Sequence, residues 1–138
     1  VLSLKPGDVL VCEGGEPGRA AIWDGQISRC CYQKTLHRLR PIGKAVDPNF
    51  IMYRLWRGAL DDEFIGSNAQ TTIAHLPLAR MKNLSLAIPS LVEQQRIVDI
   101  LKVQMAAAEQ ARAASEAELA AINALPAALL RRAFNGEL

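Results

Sequence analysis

The stretch SLVEQQRIVDILKVQMAAAEQARAASEAELAAINAL, residues Ser90–Leu125, decides the fold of this chain. It contains neither glycine nor proline, and residues that favour helices, above all alanine, dominate it. Ser90 and Glu93 have the spacing of a capping box, in which the two side chains satisfy the first amides of a helix. The pattern therefore predicts one helix of about 50 Å, at 1.5 Å per residue.

Apolar side chains recur along this predicted helix at the alternating spacing of three and four residues that marks a heptad. The set is Val98, Leu101, Met105, Ala108, Leu119 and Ile122. Arg112 and Ser115 interrupt it, and polar positions of this kind can fix the register between two helices. We predict that the stripe packs on another helix, in a partner or in a second copy of the chain. Folding back onto its own domain is the alternative, which the length of the helix disfavours.

The residues before Ser90 carry patterns that are typical of short strands. Turn sequences at Lys5–Asp8 and Asp24-Gly25 bound apolar runs, and the second turn predicts a hairpin. The predicted strands are residues 8–12, 19–23, 35–40 and 83–88. A helix is predicted from Asp47-Pro48, which suit its N-cap and first position, to Leu60. Its predicted buried face consists of Ile51, Leu55 and Ala59, widened by Met52 and Trp56.

Together these patterns predict an α+β fold in two parts. Residues 1–89 would form a small β-rich domain with short helices. Residues 90–138 would form a long, coiled-coil-like helix that is kinked or restarted at Pro126, where the backbone donor is lost.

Composition places the chain among ordinary globular proteins. Half of its 138 residues are hydrophobic, 22% are charged and the formal net charge is +2, so charge alone identifies no partner. Basic residues nevertheless dominate between Arg29 and Arg57, where Asp47 is the one acid, and such a segment can meet phosphates. A solvated surface of mixed charge is the other interpretation of this segment.

The cysteines and the hydropathy predict a cytoplasmic protein. Cys12, Cys30 and Cys31 lack the spacing of a zinc site, and we expect all three to be small buried side chains in a reducing compartment. No stretch has transmembrane length, and no charged-then-apolar leader is evident.

The sequence predicts no catalytic residue, metal site or cofactor. The glycines of loop 13–18 lack the spacing of a nucleotide-binding loop, and neither His37 nor His75 has an evident nucleophile or metal partner. Asp61–Glu63 is interpreted as a solvated helix end. Asp47–Phe50 is close to the tetrapeptide of adenine-acting methyltransferases, but asparagine replaces its second proline, and we interpret it as a helix start.

With no catalytic motif predicted, binding through polar loops is the function that the sequence still supports. Loops 13–19, 26–34 and 66–72 carry side chains that can contact phosphates or base edges. The candidate DNA-binding residues are Arg19, Arg29, Gln33, Lys34, Ser67, Asn68, Gln70, Thr71 and Thr72. The alternative is that these loops are polar only because they are exposed.

Three segments resemble the specificity subunit of type I restriction-modification enzymes. The first is Leu4–Val11, with Gly18-Arg19 behind it. The second is Thr72-Ile73-x-x-Leu76, followed by Leu84–Pro89 and by Glu93-Gln94-x-Arg96-Ile97-Val98. The third is the ending LLRRAFNGEL at 129–138. The resemblance covers nearly the whole chain.

The resemblance implies DNA recognition without catalysis. Such a subunit reads double-stranded DNA with two target-recognition domains, each followed by a long helix, and the two helices pair antiparallel as a spacer between half-sites. It also docks methyltransferase subunits and, in the full enzyme, restriction subunits. For this chain the resemblance implies the later part of one recognition domain at 1–89 and a spacer and dimerisation helix at 90–138. A homodimer through that helix is a further predicted assembly.

The predicted function is therefore that of a DNA specificity component, which reads a half-site through loops and docks methyltransferase subunits through its helix. The alternative is a truncated assembly module that pairs with other restriction-modification subunits without reading DNA. A methyltransferase or nuclease is a third interpretation, which the missing cofactor motif disfavours.

Overall fold

The computed structural model describes residues 3–64 and 75–137. Its elements are, in chain order, β1 (Val9–Cys12), β2 (Ala20–Ile22), β3 (Leu36–Leu39), α1 (Pro48–Leu60), α2 (Leu78–Lys82) and α3 (Leu91–Phe134). The strands form an antiparallel sheet in the order β2-β1-β3. The predicted α+β fold, a small sheet with short helices and a long C-terminal helix, is confirmed.

The central strand β1 sets the two faces of the sheet. Val9 and Val11 are fully buried in the core, whereas Leu10 between them lies on the opposite face. Leu10 pairs there with Arg38 of β3, while the neighbouring His37 is buried on the core side. This alternation is what a sheet covered on one face requires.

The predicted hairpin at Asp24-Gly25 is wrong. β2 and β3 do not pair with each other, because β1 lies between them. The local turn itself is present, since the amide of Gln26 donates to Asp24 Oδ1 at 3.0 Å and Gly25 has a φ of +90°. The chain after this turn leads to the other edge of β1, where Leu36 pairs with Cys12.

Asp47 caps α1 as predicted. Its carboxylate accepts hydrogen bonds from the amides of Asn49 at 2.7 Å and Phe50 at 3.4 Å, and Pro48 occupies the first turn. The tetrapeptide Asp47–Phe50 is therefore the start of a helix, and the phenylalanine is buried in the core.

The core belongs to the first of two compact units, Val1–Val98. It draws on the sheet, α1, α2 and the first turns of α3, and its buried apolar residues are Val9, Val11, Phe50, Ile51, Leu55, Phe64, Leu76, Met81 and Val98. Trp56, predicted on the buried face of α1, is instead 38% exposed.

Residues 83–88 do not form the predicted strand. Leu84 and Leu86 pack on the core while Ser85 and Ala87 are exposed, so the alternation in the sequence reflects real burial. No strand of the described sheet pairs with this segment, and alternation alone cannot supply a pairing partner. The preceding helix α2 is too short to leave a periodic pattern in the sequence.

α3 begins after Ser90, whose hydroxyl oxygen accepts a hydrogen bond from the amide of Glu93 at 3.4 Å. The carboxylate of Glu93 binds the guanidinium of Arg96 rather than completing the predicted capping box. The helix runs through Pro126, so the predicted restart is wrong, and the kink there stays a prediction. The second compact unit is Asp99–Leu138.

The cysteines are only partly buried. Cys12 and Cys30 are half-buried and Cys31 is exposed, so the predicted burial is wrong for Cys31. It is the backbone of Cys31 that makes a tertiary contact, an isolated bridge with Ser3. In the described parts of the chain, no helix combines the length and hydropathy needed to cross a membrane.

Candidate nucleic-acid interface

One end of the sheet brings together three of the predicted DNA-binding residues, Arg19, Gln33 and Lys34. The amide of Cys12 donates to the carbonyl of Arg19 at 2.9 Å, and the amide of Glu13 donates to the carbonyl of Thr35 at 3.0 Å. Arg19 therefore precedes β2, and Lys34 precedes β3, on either side of the end of β1. We call this region, formed by 13–19, 33–35 and 75–76, the loop end of the sheet.

The residues on both sides of 65–74 also lie at the loop end. His75 forms a bridge with Gly14, and the amide of Leu76 donates to the carbonyl of Glu13 at 2.6 Å. Before the segment, the ring of Phe64 packs directly against Gly18. The predicted contacts in between, which are Ser67, Asn68, Gln70, Thr71 and Thr72, lie outside the described residues.

Arg19 is exposed and forms an ion pair with Glu16. The hydrogen bond that Arg19 donates to the carboxylate of Glu16 raises the pKa of Arg19 above its usual value. The guanidinium therefore stays charged, but a nearby carboxylate already offsets part of its field. Any anion that binds Arg19 has to compete with Glu16.

The remaining described candidates lie in the segment between β2 and β3. Gln33 and Lys34 are exposed, and the carbonyl of Gln33 accepts from the amide of Leu36 at 3.1 Å in the turn that leads into β3. Arg29 is also exposed, with a φ of +56°. Its neighbour Cys30 is tied by its carbonyl to the amide of Leu4 at 2.9 Å, so Arg29 is anchored to the N-terminal segment rather than to the loop end.

Tyr32 and Arg38 are two partly exposed residues that are not among the predicted DNA-binding residues. The Arg38 guanidinium carbon lies 5.5 Å from the centre of the Tyr32 ring, and Arg38 Nη1 donates to the carbonyl of Ser3 at 3.0 Å. The strand period could have found Arg38, because it places Arg38 opposite the buried His37. Tyr32 lies in a loop, where no period indicates its neighbours.

Asp8 explains the Pro-Gly-Asp turn of the first resembling segment. The carboxylate is almost fully buried and accepts from Arg40 Nε and Nη2, both at 2.6 Å, and from the amide of Lys5 at 2.8 Å. The Arg40 guanidinium holds the pKa of Asp8 below its usual value, against the opposing effect of burial. This pair joins the start of β1 to the end of β3, so Arg40 has a structural role.

The predicted pairing stripe on α3 is exposed except at its start. Val98 is 2% exposed and belongs to the core of the first unit, so it is not available to a partner helix. Leu101 is half-buried, and the other four, Met105, Ala108, Leu119 and Ile122, are exposed. Arg112, which interrupts the stripe, pairs with Glu109 at 2.6 Å and Glu116 at 2.8 Å within its own helix.

The ring of each histidine makes one polar contact within the described part of the chain. His37 Nε2 lies 2.7 Å from the carbonyl of Leu76, and His75 Nε2 lies 3.5 Å from Glu13 Oε1. Among residues 3–64 and 75–137, no cluster of three or more His, Cys, Asp or Glu could hold a metal ion. His37 therefore serves to hold the strand β3 against Leu76.

These elements define a small α+β domain that is followed in sequence by a long helix with an exposed apolar stripe. The family model of the type I restriction modification DNA specificity domain matches residues 2–118, and the chain belongs to this family. The resemblance stated from the motifs is thereby confirmed.

Two relatives illustrate the family. The chain is 27% identical, over 135 residues, to the type I restriction enzyme EcoBI specificity subunit of Escherichia coli, and the match covers 98% of this chain and 28% of that subunit. A solved chain from work on complex assembly and conformational transition of the type I R-M system is 30% identical, with a TM-score of 0.72. That match covers 100% of this chain and 33% of the other. The chain thus spans about a third or less of each relative.

Proposed function

We propose that this chain reads one half of a split DNA site as part of a type I restriction-modification specificity subunit. Residues 1–89 would belong to a target-recognition domain, and residues 90–138 would form a spacer and docking helix. The chain itself would carry out no catalysis and need no cofactor. The family match over residues 2–118 is the observation that carries this proposal.

The geometry of the loop end supports DNA reading. Arg19, Gln33 and Lys34 are exposed side chains on short loops that a hydrogen-bonded sheet holds in place. The amide of Gln33 can make two hydrogen bonds to adenine, and the two cations can contact phosphates or guanine edges. The remaining predicted contacts, Ser67, Asn68, Gln70, Thr71 and Thr72, lie outside the described residues and stay part of this proposal.

The exposed stripe on α3 supports a docking function for the helix. Large apolar side chains such as Leu119 and Ile122, which are 58% and 53% exposed, are typical of a helix that is covered by a partner. We propose methyltransferase subunits, and restriction subunits in the full enzyme, as the partners in the cytoplasm. Pairing of two copies through Leu101, Met105, Ala108, Leu119 and Ile122 is part of the same proposal.

The alternative function is an assembly module that does not read DNA. The ion pair between Glu16 and Arg19 favours it, because it occupies a central candidate for base or phosphate contact. In this alternative the helix keeps its docking function, and any DNA binding by the chain is electrostatic and independent of sequence.

Selection from a random duplex library separates the two functions. The purified chain is incubated with the library at two salt concentrations, and the bound fraction is sequenced. DNA reading predicts a short enriched motif that Gln33→Ala weakens at one position. Gln104→Ala, an exposed glutamine on α3, is the matched control and should leave the motif intact. Steeply salt-dependent binding without a motif would support the assembly module instead, and methyl transfer by the chain alone would contradict the non-catalytic role.

A further inference from the structure

The outer face of the sheet carries an open depression beside the loop end. Its cavity volume is about 370 Å³, and its lining consists of Glu13, Tyr32, Lys34, Leu36, Arg38 and Leu78, together with His37, which reaches it from the core side. We call it the outer-face depression. It combines two cations and one carboxylate with the rings of Tyr32 and His37, so its formal charge is positive with the histidine neutral.

Arg38 is held in place within this depression. Its guanidinium lies over the Tyr32 ring at 5.5 Å, and one of its nitrogens donates to the carbonyl of Ser3 at 3.0 Å. A guanidinium has five N–H donors, so this arrangement fixes its plane while leaving other donors free for a ligand. Fixing the side chain in advance also removes entropy that an incoming anion would otherwise have to overcome.

We infer that the outer-face depression binds a phosphate of the DNA backbone, through Arg38 and Lys34. The inference rests on the proposed DNA-reading function and refines it, because it assigns Lys34 to the backbone rather than to a base edge. Tyr32 acts as a positioning residue that orients Arg38. Phosphate contacts of this kind fix how a protein lies on the duplex but carry no sequence information.

The other charged groups nearby fit this assignment. The carboxylate of Glu13 would repel an anion, but its side chain is half-buried. Its Oε1 lies 3.5 Å from His75 Nε2. Arg40, the residue after β3, is paired with the buried Asp8 and does not count as a phosphate ligand. By contrast, the depression beside Trp56 contains the carboxylates of Glu16 and Asp62 and only one cation, Arg19, so it disfavours phosphate.

The salt dependence of DNA binding tests this inference. Each neutralised phosphate contributes about 0.9 to the slope of log affinity against log salt concentration. The full chain and its variants are titrated with a fluorescent duplex at several salt concentrations, and the same proteins are put through the random-library selection. Arg38→Gln and Lys34→Gln should each reduce the slope by about one and weaken binding equally for all sequences. Arg96→Gln, an exposed arginine on α3, is the matched control and should leave the slope unchanged.

Tyr32→Phe and Tyr32→Ala distinguish positioning from folding. The phenylalanine variant keeps the ring and should keep the slope, whereas the alanine variant should weaken binding without lowering the melting temperature as a core substitution would. Lys34→Gln makes the test independent of Arg38, since the lysine is exposed and its loss should leave the fold intact.

The outcomes separate this inference from the proposed function. An unchanged slope in both Arg38→Gln and Lys34→Gln, with a normal motif for the parent chain, overturns the phosphate site alone. If the selected motif changes in Lys34→Gln, Lys34 contacts a base, and the inference is overturned as well. If the parent chain binds DNA without a sequence motif, the proposed DNA reading is overturned. The phosphate site still stands in that case if Arg38→Gln and Lys34→Gln reduce the salt slope. Unchanged DNA binding with lost capture of methyltransferase subunits would assign the depression to a protein partner.

Discussion

Gln94 in the second turn of α3 is hydrogen-bonded to the backbone of Asp47, the N-cap of α1. Gln94 Oε1 accepts from the Asp47 amide at 2.8 Å, and Gln94 Nε2 donates to the carbonyls of Ala45 at 3.0 Å and Pro89 at 2.8 Å. The side chain is fully buried. One glutamine therefore fixes the start of the long helix against the start of α1, which explains its place in the resembling motif.

Replacing Gln94 should destabilise the first unit strongly. Gln94→Glu removes both donors and places a carboxylate against two carbonyl oxygens, and we expect a loss of about 3 kcal/mol in the free energy of unfolding. Gln95→Ala is the matched control, because that side chain is exposed, and it should change stability by less than about 0.5 kcal/mol. Urea unfolding measures both, and equal effects would contradict a structural role for Gln94.

The helix and the strands were predictable because local periods encode them. Helix-forming composition without glycine or proline predicted α3, and the Asp47 cap predicted α1. Apolar runs bounded by turns predicted β1 and β2, and alternation predicted β3. Pairing is not local, so the hairpin at Asp24-Gly25 was wrong and residues 83–88 lacked a partner strand. The Gln94 contacts were also beyond prediction, because they join residues that are far apart in sequence and leave no period.

The ion pair of the buried Asp8 with the partly exposed Arg40 should make stability depend on acid pH. The pKa of Asp8 is lowered in the folded chain, so its contribution is fully present above the unfolded value and is lost as the pH falls through the folded value, below about pH 4. Asp8→Asn should cost about 2 kcal/mol at pH 7, discounted because Arg40 is partly exposed, and should flatten the decline in acid. Asp99→Asn, an exposed acid, is the control, and an unaltered acid decline in Asp8→Asn would contradict this account.

Gly18 should not tolerate a side chain. Its φ is +87°, and a Cβ there would overlap the buried ring of Phe64 and approach Ala59 Cβ to 3.2 Å. Gly18→Ala should therefore cost about 3 kcal/mol, from backbone strain and overpacking together. Gly43 has a similar φ of +79° but nothing within 4 Å, so Gly43→Ala should show the strain alone, about 1 kcal/mol. Thermal unfolding compares the two, and equal costs would exclude the clash with Phe64.

Glu16 should restrain DNA binding by Arg19. Glu16→Gln removes the competing carboxylate of an exposed ion pair, which is worth about 0.5 kcal/mol, so affinity for duplex DNA should rise by roughly twofold to threefold. Glu118→Gln makes the same change of charge on α3 and should have a smaller effect. In an Arg19→Gln background the gain should disappear. Anisotropy titrations at fixed salt measure the parent chain, the three single variants and the double variant, and a gain that persists without Arg19 would assign the effect to net charge.

The site was less predictable than the fold, because loops have no period. Chemistry alone selected Arg19 and Lys34, which the sheet brings to one end, together with Arg29, which the backbone anchors elsewhere. It could not find Tyr32, whose relevance depends on its distance from Arg38. Val98 has the heptad spacing but is buried in the core of the first unit. The sequence did not predict this, because heptad spacing does not reveal where a domain ends.

The exposed stripe of α3 should mediate pairing of two copies of the chain. Leu119 and Ile122 fall on the seam, so Leu119→Glu and Ile122→Glu would place a charge where a partner helix packs. We expect the parent chain to sediment as a dimer at tens of micromolar and both variants as monomers. Val103 is 71% exposed but lies off the seam, so Val103→Glu adds the same charge and should leave the dimer intact. A monomeric parent chain at that concentration would contradict self-pairing and leave the stripe to the methyltransferase subunits.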